Sequence, residues 1–323
     1  MGMIKILIIH IISACLIAKT GANTFEPYTL NGGLVSAIAG KNYVILACDT
    51  RLSDGGYNIL SREYFGSRLW SATDSGCNSD GSIILPENEA SCSNDHETTF
   101  SGILRSRTVL KNQRCPTFIA SSGCAADCDA LKRQVRSEVH AHQNWNFASN
   151  LTPTGIANML GQILYSRRAF PFYSFCVCAG LENHGHGHVH IYDAIGSHER
   201  VAVACTGAGK EMLQPILDRM FARANKKCID DNYPEYSSIH MQRDGQAVRA
   251  SDQRIGLLLQ PPVKTYVSCD EEEALTMLVK GYRSAAEREI TIGDSVVAIV
   301  LKRRSSSAES FEMDIMRFPL KQH

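Results

Sequence analysis

Two apolar runs stand close to the front of the chain. Residues 34–39 and 43–48 carry almost no polar side chain, and Gly40-Lys41-Asn42 separates them. Short apolar runs joined by glycine and asparagine predict a β-hairpin. Because neither run alternates, both strands are expected to be covered on two faces. Further on, residues 116–120 predict a short buried strand that ends at Gly123. Cys128, Leu131, Val135 and Val139 then recur at three- and four-residue spacing, which predicts a helix over 125–142. Ile156, Leu160, Ile163 and Leu164 predict a second helix over 153–167, with Pro153 in its first turn, where no amide donor is missed. The short polar link between the two predicts an antiparallel pair.

Three strands are expected next, over 172–179, 186–192 and 200–205. Thr206-Gly207-Ala208-Gly209 opens a third helix through Leu213, Leu217 and Phe221, with Pro215 a candidate kink. Ser268-Cys269-Asp270-Glu271 has the form of a capping box for a fourth helix, whose buried side is Ala274, Leu278, Tyr282 and Ala285. Residues 295–301 and 311–316 predict a closing strand pair. Two stretches lack periodicity. Residues 66–113, rich in Ser, Asn, Asp and Gly, read as an exposed polar insertion, and 224–268 as loop with fragments. Strands, two helices, strands, two helices, strands is an α+β order. Two sheets packed together between helix layers would use every apolar face. Simple strand–helix alternation is missing, which argues against a doubly wound nucleotide-binding fold.

Composition narrows the function. Of 323 residues, 44% are hydrophobic and 20% charged, which supports a packed core. Lys+Arg and Asp+Glu number 33 each, and this balance speaks against sequence-independent nucleic-acid binding. Twelve cysteines are scattered without paired metal-ligand spacing, so buried reduced thiols are expected and no metal or cofactor is predicted. Lys5 followed by an apolar run to Ala18 resembles a secretory signal, and Asn150-Leu151-Thr152 is a glycosylation sequon, so a secreted binding protein is one alternative. The run is short for a membrane span.

Four candidates for chemistry follow. Gly207-Ala208-Gly209-Lys210 imitates a phosphate loop, but Glu211 follows the lysine and the full pattern is missing, so a glycine turn is the better reading. His186, His188 and His190 alternate and share one strand face, as metal ligands do, yet no carboxylate accompanies them, and a partly exposed strand edge is expected. Asp49 and Arg51 leave the second strand of the hairpin as either a site or a structural ion pair. Ser36 (after trimming) and Cys48 are the alternative nucleophiles of an active hydrolase.

Several stretches in order resemble proteasome β subunits: Gly32-Gly33-Leu34-Val35-Ser36-Ala37-Ile38-Ala39-Gly40, Ala47-Cys48-Asp49-Thr50-Arg51-Leu52-Ser53, Ser122-Gly123-Cys124-Ala125-Ala126-Asp127 and, most specifically, Leu164-Tyr165-Ser166-Arg167-Arg168-Ala169-Phe170-Pro171-Phe172-Tyr173. The likeness covers about 25–65 and 107–302. It implies a domain over 25–323, after an extension or propeptide over 1–24, with a four-layer αββα sandwich and the N-terminal-nucleophile hydrolase fold. It also implies assembly with α and β subunits in stacked seven-membered rings that degrade proteins in cytoplasm and nucleus, without nucleic acid or membrane. Active family members free a threonine by self-cleavage after glycine, and that residue's hydroxyl and amine do the chemistry. Counted back from Asp49, the nucleophile position falls on Gly33, which has no hydroxyl. The family lysine falls near Val109 and Lys111, and its later Asp and Ser positions fall on Glu289 and Ile292. The resemblance therefore implies a structural ring member with a vestigial pocket at Asp49 and Arg51, holding no cofactor or metal.

Overall fold

A computed structural model describes residues 28–56, 58–73, 77–84, 104–111, 116–145, 151–181, 185–232, 266–303 and 310–320. The signal-like segment, Asn150, His184 and residues 85–103 lie outside them.

The hairpin forms as its pattern predicts. β1 (Leu34–Ala39) pairs antiparallel with β2 (Tyr43–Asp49), Ser36 facing Ala47, and every residue of both strands is buried. Two-sided burial follows from the place of the hairpin in the molecule. One face of the strands, with Val35, Ala37, Leu46 and Cys48, packs into the core between two sheets. The other, with Leu34, Ile38, Ile45 and Ala47, packs against helices. A strand with apolar side chains on one face only would leave one of those layers without a partner.

The hairpin belongs to a six-stranded sheet with the order β11-β1-β2-β12-β13-β6. Its other members are β6 (Leu104–Lys111), β11 (Val203–Gly207), β12 (Ser295–Arg303) and β13 (Ser310–Pro319). The second sheet has five strands in the order β10-β9-β8-β7-β5: β5 (Leu69–Ser71), β7 (Thr117–Gly123), β8 (Ser174–Leu181), β9 (Gly187–Tyr192) and β10 (His198–Arg200). A small pair, β3 (Leu52–Ser53) and β4 (Ile59–Ser61), follows the hairpin. Helices α1 (Ala125–Trp145) and α2 (Pro153–Ser166) cover the outer face of the second sheet, with Leu131, Val135, Ile156 and Leu160 against Ile119, Cys176 and Cys178. Helices α3 (Lys210–Asn232) and α4 (Glu271–Ala286) cover the first sheet, through Leu213, Leu217, Leu278 and Tyr282. The layers therefore run helix, sheet, sheet, helix.

Three expectations need correction. The strand expected over 200–205 is two strands in different sheets. Val201 still donates to Val189 O at 3.0 Å, but two residues on Val203 pairs with Ile38, so the chain changes sheets at residues 201–202. The span read as a polar insertion begins and ends inside the sheets. Leu69 and Trp70 are fully buried in β5, and β6 pairs with β13 along its whole length. Few apolar residues are needed in either place, because one strand has three residues and the other lies at a sheet edge. Finally, α4 has Asp270 rather than Ser268 at its N-cap, with no side-chain capping bond. Its first turn is instead occupied by Glu271, Glu272 and Glu273, which suits the positive end of the helix dipole.

Candidate functional site

The end of β2 and the start of β1 meet at one end of the first sheet, because a hairpin returns its two outer ends to the same place. Asp49 is fully buried there. Its Oδ1 accepts the Leu34 amide at 2.9 Å and its Oδ2 accepts the Gly293 amide at 3.4 Å. Burial raises the carboxyl above the usual range, opposed by the adjacent Arg68 guanidinium and by the two amides.

Arg68 is the cation of this pocket. It is 2% exposed and ion-paired through Nη1 with Asp49 Oδ1. Its Nη2 donates to Arg51 O at 2.5 Å and to Asn31 O at 3.4 Å. The guanidinium lies over Gly33, whose φ is +89°, and a Cβ built on Gly33 would overlap it. Burying a carboxylate needs this kind of partner, because an unpaired charge there would be far costlier.

Arg51 does not pair with Asp49, although the two are neighbours at the strand end. Its Nε donates to Asp294 Oδ2 at 2.8 Å and its Nη1 to Ile290 O at 2.8 Å. Arg62 adds a second bond to Asp294 at 2.5 Å. Burial alone would raise the Asp294 carboxyl, but the two arginines hold it below its usual range. Asp294 has φ +64°, so the loop carrying it is pinned in the left-handed region. Asp49 and Arg51 thus belong to two separate ion pairs: Arg51–Asp294 stitches residues 290–294 to the hairpin, and Asp49 reaches that loop only through the Gly293 amide.

The segment that enters β1 is hydrogen-bonded into the site. Asn31 donates through Nδ2 to Ser53 O at 2.9 Å and accepts the Ala125 amide, the first of α1, at 2.9 Å on Oδ1. Gly33 O accepts from the Ala208 amide at 2.9 Å. Gly33 therefore offers a backbone acceptor and no hydroxyl.

Other candidates lie elsewhere. Val109 sits on β6 opposite Glu312, at the far edge of the first sheet, so the position expected for the family lysine is not beside Asp49. The cation there is Arg68, which the sequence reading missed. Its one signal is an arginine directly before the buried Leu69-Trp70 pair, inside a span that otherwise reads as polar. Glu289 accepts from the Thr291 amide and hydroxyl, at 3.2 and 2.8 Å, and Ile292 is buried in the core under α3 and α4. Ser36 is fully buried, its Oγ 2.9 Å from Tyr282 Oη, and Cys48 is buried with its thiol pushed far up by desolvation. Neither is placed to attack a substrate.

Only His186, in the turn before β9, is partly exposed as expected; the other two are buried on a strand inside the sheet. His188 and His190 are 1% and 6% exposed, on the face of β9 that also carries Tyr192, while His186 donates through Nδ1 to Lys41 O, 2.8 Å away. His190 lies 5.8 Å, ring to ring, from His198, and burial with these neighbours lowers its pKa to about 4. Among the described residues no group of three His, Cys, Asp or Glu is placed to hold a metal ion.

This αββα sandwich, with a Gly-Gly step entering β1 and a buried aspartate closing β2, can be set beside known proteins. A family model for proteasome subunits matches residues 98–229, from just before β6 into α3. The chain is similar to proteasome subunit beta type-1 of Dictyostelium discoideum, 28% identical over 291 residues that span 90% of each chain. It is also 28% identical to proteasome subunit beta type-1 of Arabidopsis thaliana, over 91% of this chain and 98% of that one. The Drosophila melanogaster protein of the same name is 28% identical over 86% of each. The order of layers, helix, sheet, sheet, helix, is that of the N-terminal-nucleophile hydrolase fold. In it, Gly33 stands where the resemblance places the nucleophile, and a buried arginine stands over it.

Proposed function

We propose that this chain is a non-catalytic, structural β subunit of a 20S proteasome core particle, of the beta type-1 kind at the sixth ring position. The observation that carries the reading is Gly33. It lacks a hydroxyl, and a buried guanidinium lies over it. Peptide hydrolysis by this fold needs an activated hydroxyl or thiol within reach of its base. Ser36 and Cys48 are inside the core, which leaves the chain a contribution to the shape and assembly of the particle. Its partners are then the α and β subunits of stacked seven-membered rings, in cytoplasm and nucleus, in the service of ubiquitin-dependent protein degradation. A near-zero formal charge suits a subunit whose surface is largely covered by neighbours.

The test is native purification of the tagged chain, with mass spectrometry of its partners and of its own N-terminus, followed by labelling with an electrophilic peptide inhibitor. A full set of α and β subunits, a start upstream of Gly33 and label on other subunits alone are the expected results. A solitary chain in a secretory fraction, or label on this chain that is lost in Ser36→Ala or Cys48→Ala, would overturn the proposal.

A further inference from the structure

We propose that the space beside Gly33 is a guanidinium-binding site, and that the chain occupies it in cis with Arg68. Three acceptors from separate segments converge on one planar group: the Asp49 carboxylate at the end of β2, Arg51 O beyond it, and Asn31 O in the segment leading to β1. Asp49 is fully buried; each of its oxygens accepts a backbone amide, and Oδ1 accepts the cation as well, so the amides fix the carboxylate in place for it. The missing side chain at Gly33 supplies the volume, since any Cβ there would overlap the guanidinium. The Tyr64 ring, 5.6 Å from Arg68 Cζ, closes another side. Arg68 itself is delivered by a tight turn. Its amide donates to Phe65 O at 2.9 Å, and its carbonyl accepts from Ser121 on β7 at 2.8 Å.

A flat fork with donors on two nitrogens matches acceptors spread in this way, whereas an ammonium is a point charge that satisfies fewer of them at once. Arg68 ties residues 31 and 51 together across the hairpin and leaves the pocket closed to an incoming peptide carbonyl. The inference concerns the contacts of the pocket alone. Copurification with ring partners would neither confirm nor refute it, so the two proposals fail separately.

The test uses the purified particle, or the full chain if it is obtained alone, carrying Arg68→Ala. Thermal unfolding is followed while guanidinium chloride is added in the low millimolar range, with sodium and ammonium chloride as matched controls. The expected result is a saturable rise in Tm with guanidinium alone, absent from the native chain and from Asp49→Asn/Arg68→Ala. A rise that is equal in the control salts, or no rise, overturns the proposal. If Arg68→Ala does not fold, the question passes to a cycle of Gly33→Ala and Arg68→Lys. Shortening the side chain at position 68 removes the overlap, so the Tm loss caused by Gly33→Ala is expected to be smaller in the Arg68→Lys background. The strain of φ +89° is common to both arms and cancels. Additive Tm losses would show that Arg68 does not fill the space beside Gly33.

Discussion

At position 33 a hydrogen atom stands in place of a side chain, and the Arg68 guanidinium fills the space beside it. Gly33→Thr restores a hydroxyl in name, but the new Cβ meets the Arg68 guanidinium at a φ of +89°. Overpacking and left-handed strain each cost about 1–3 kcal/mol, so the variant is expected to lose stability and to remain uncut. Intact-mass measurement of the N-terminus checks this. Tyr282 governs a second buried contact, with its Oη 2.9 Å from Ser36 Oγ and 3.0 Å from Ala47 O. Tyr282→Phe leaves that polar group without its phenol partner and is expected to cost about 1–3 kcal/mol in denaturant unfolding. His190 sets a pH limit. It is neutral in the folded state down to about 4, whereas the unfolded chain protonates it near 6.5. Between those values the unfolded state binds more protons, so stability falls as pH falls from about 6.5 to 4. The loss is about 1–3 kcal/mol, the upper figure being unscreened. His188, His198 and Arg200 add to it by repelling a charged ring. His190→Phe is expected to flatten that part of a stability-against-pH curve. At this scale Asp49 was legible as the polar residue that leaves a buried strand, whereas Gly33 was singled out only by the family resemblance. The sequence was silent about Arg68, because which side chain enters a pocket 19 residues from its partner depends on a turn that no periodicity reveals.

Elements were legible where one physical signal dominated. The unbroken apolar runs of β1 and β2 and the three-and-four spacing of α1, α2 and α4 predicted both the elements and the layers they face. The strand over 200–205 was misjudged because β10 and β11 are separated by two residues, and the change of sheet is made by backbone pairing with β9 and β1, not by a glycine or proline. β5 and β6 escaped notice because one is three residues long and the other, at an edge, needs apolar side chains on few positions. The helix layers make their own prediction. Leu160 on α2 is fully buried against the second sheet. Leu160→Ala is expected to cost about 2–5 kcal/mol, through lost transfer energy and the cavity left behind, as read by chemical unfolding. The same change at Tyr165, 57% exposed one turn further on, is expected to shift stability by about 0.5 kcal/mol or less.

For the whole molecule, the order of strands in the first sheet matters more than their number. β12 and β13 come late in the chain but lie in the middle of the sheet, between β2 and β6. Val297 pairs with Cys48 on one side and Arg317 on the other. A chain stopped at residue 294 therefore does not merely shorten an edge. It leaves β2 with an open side and detaches β6, and it is expected to show no cooperative unfolding transition and no incorporation into particles on a native gel. The α-helical layer on that face would lose Val296, Ala298 and Val300 from beneath it. The same arrangement bears on how the protein is made. A ribosome releases the hairpin some 250 residues, at about 5–20 residues per second, before the strand that completes its pairing. During that interval a largely apolar strand edge waits in the cell, so the nascent chain is a natural client for whatever shields exposed strands, and slower decoding ahead of residue 295 would lengthen its exposure.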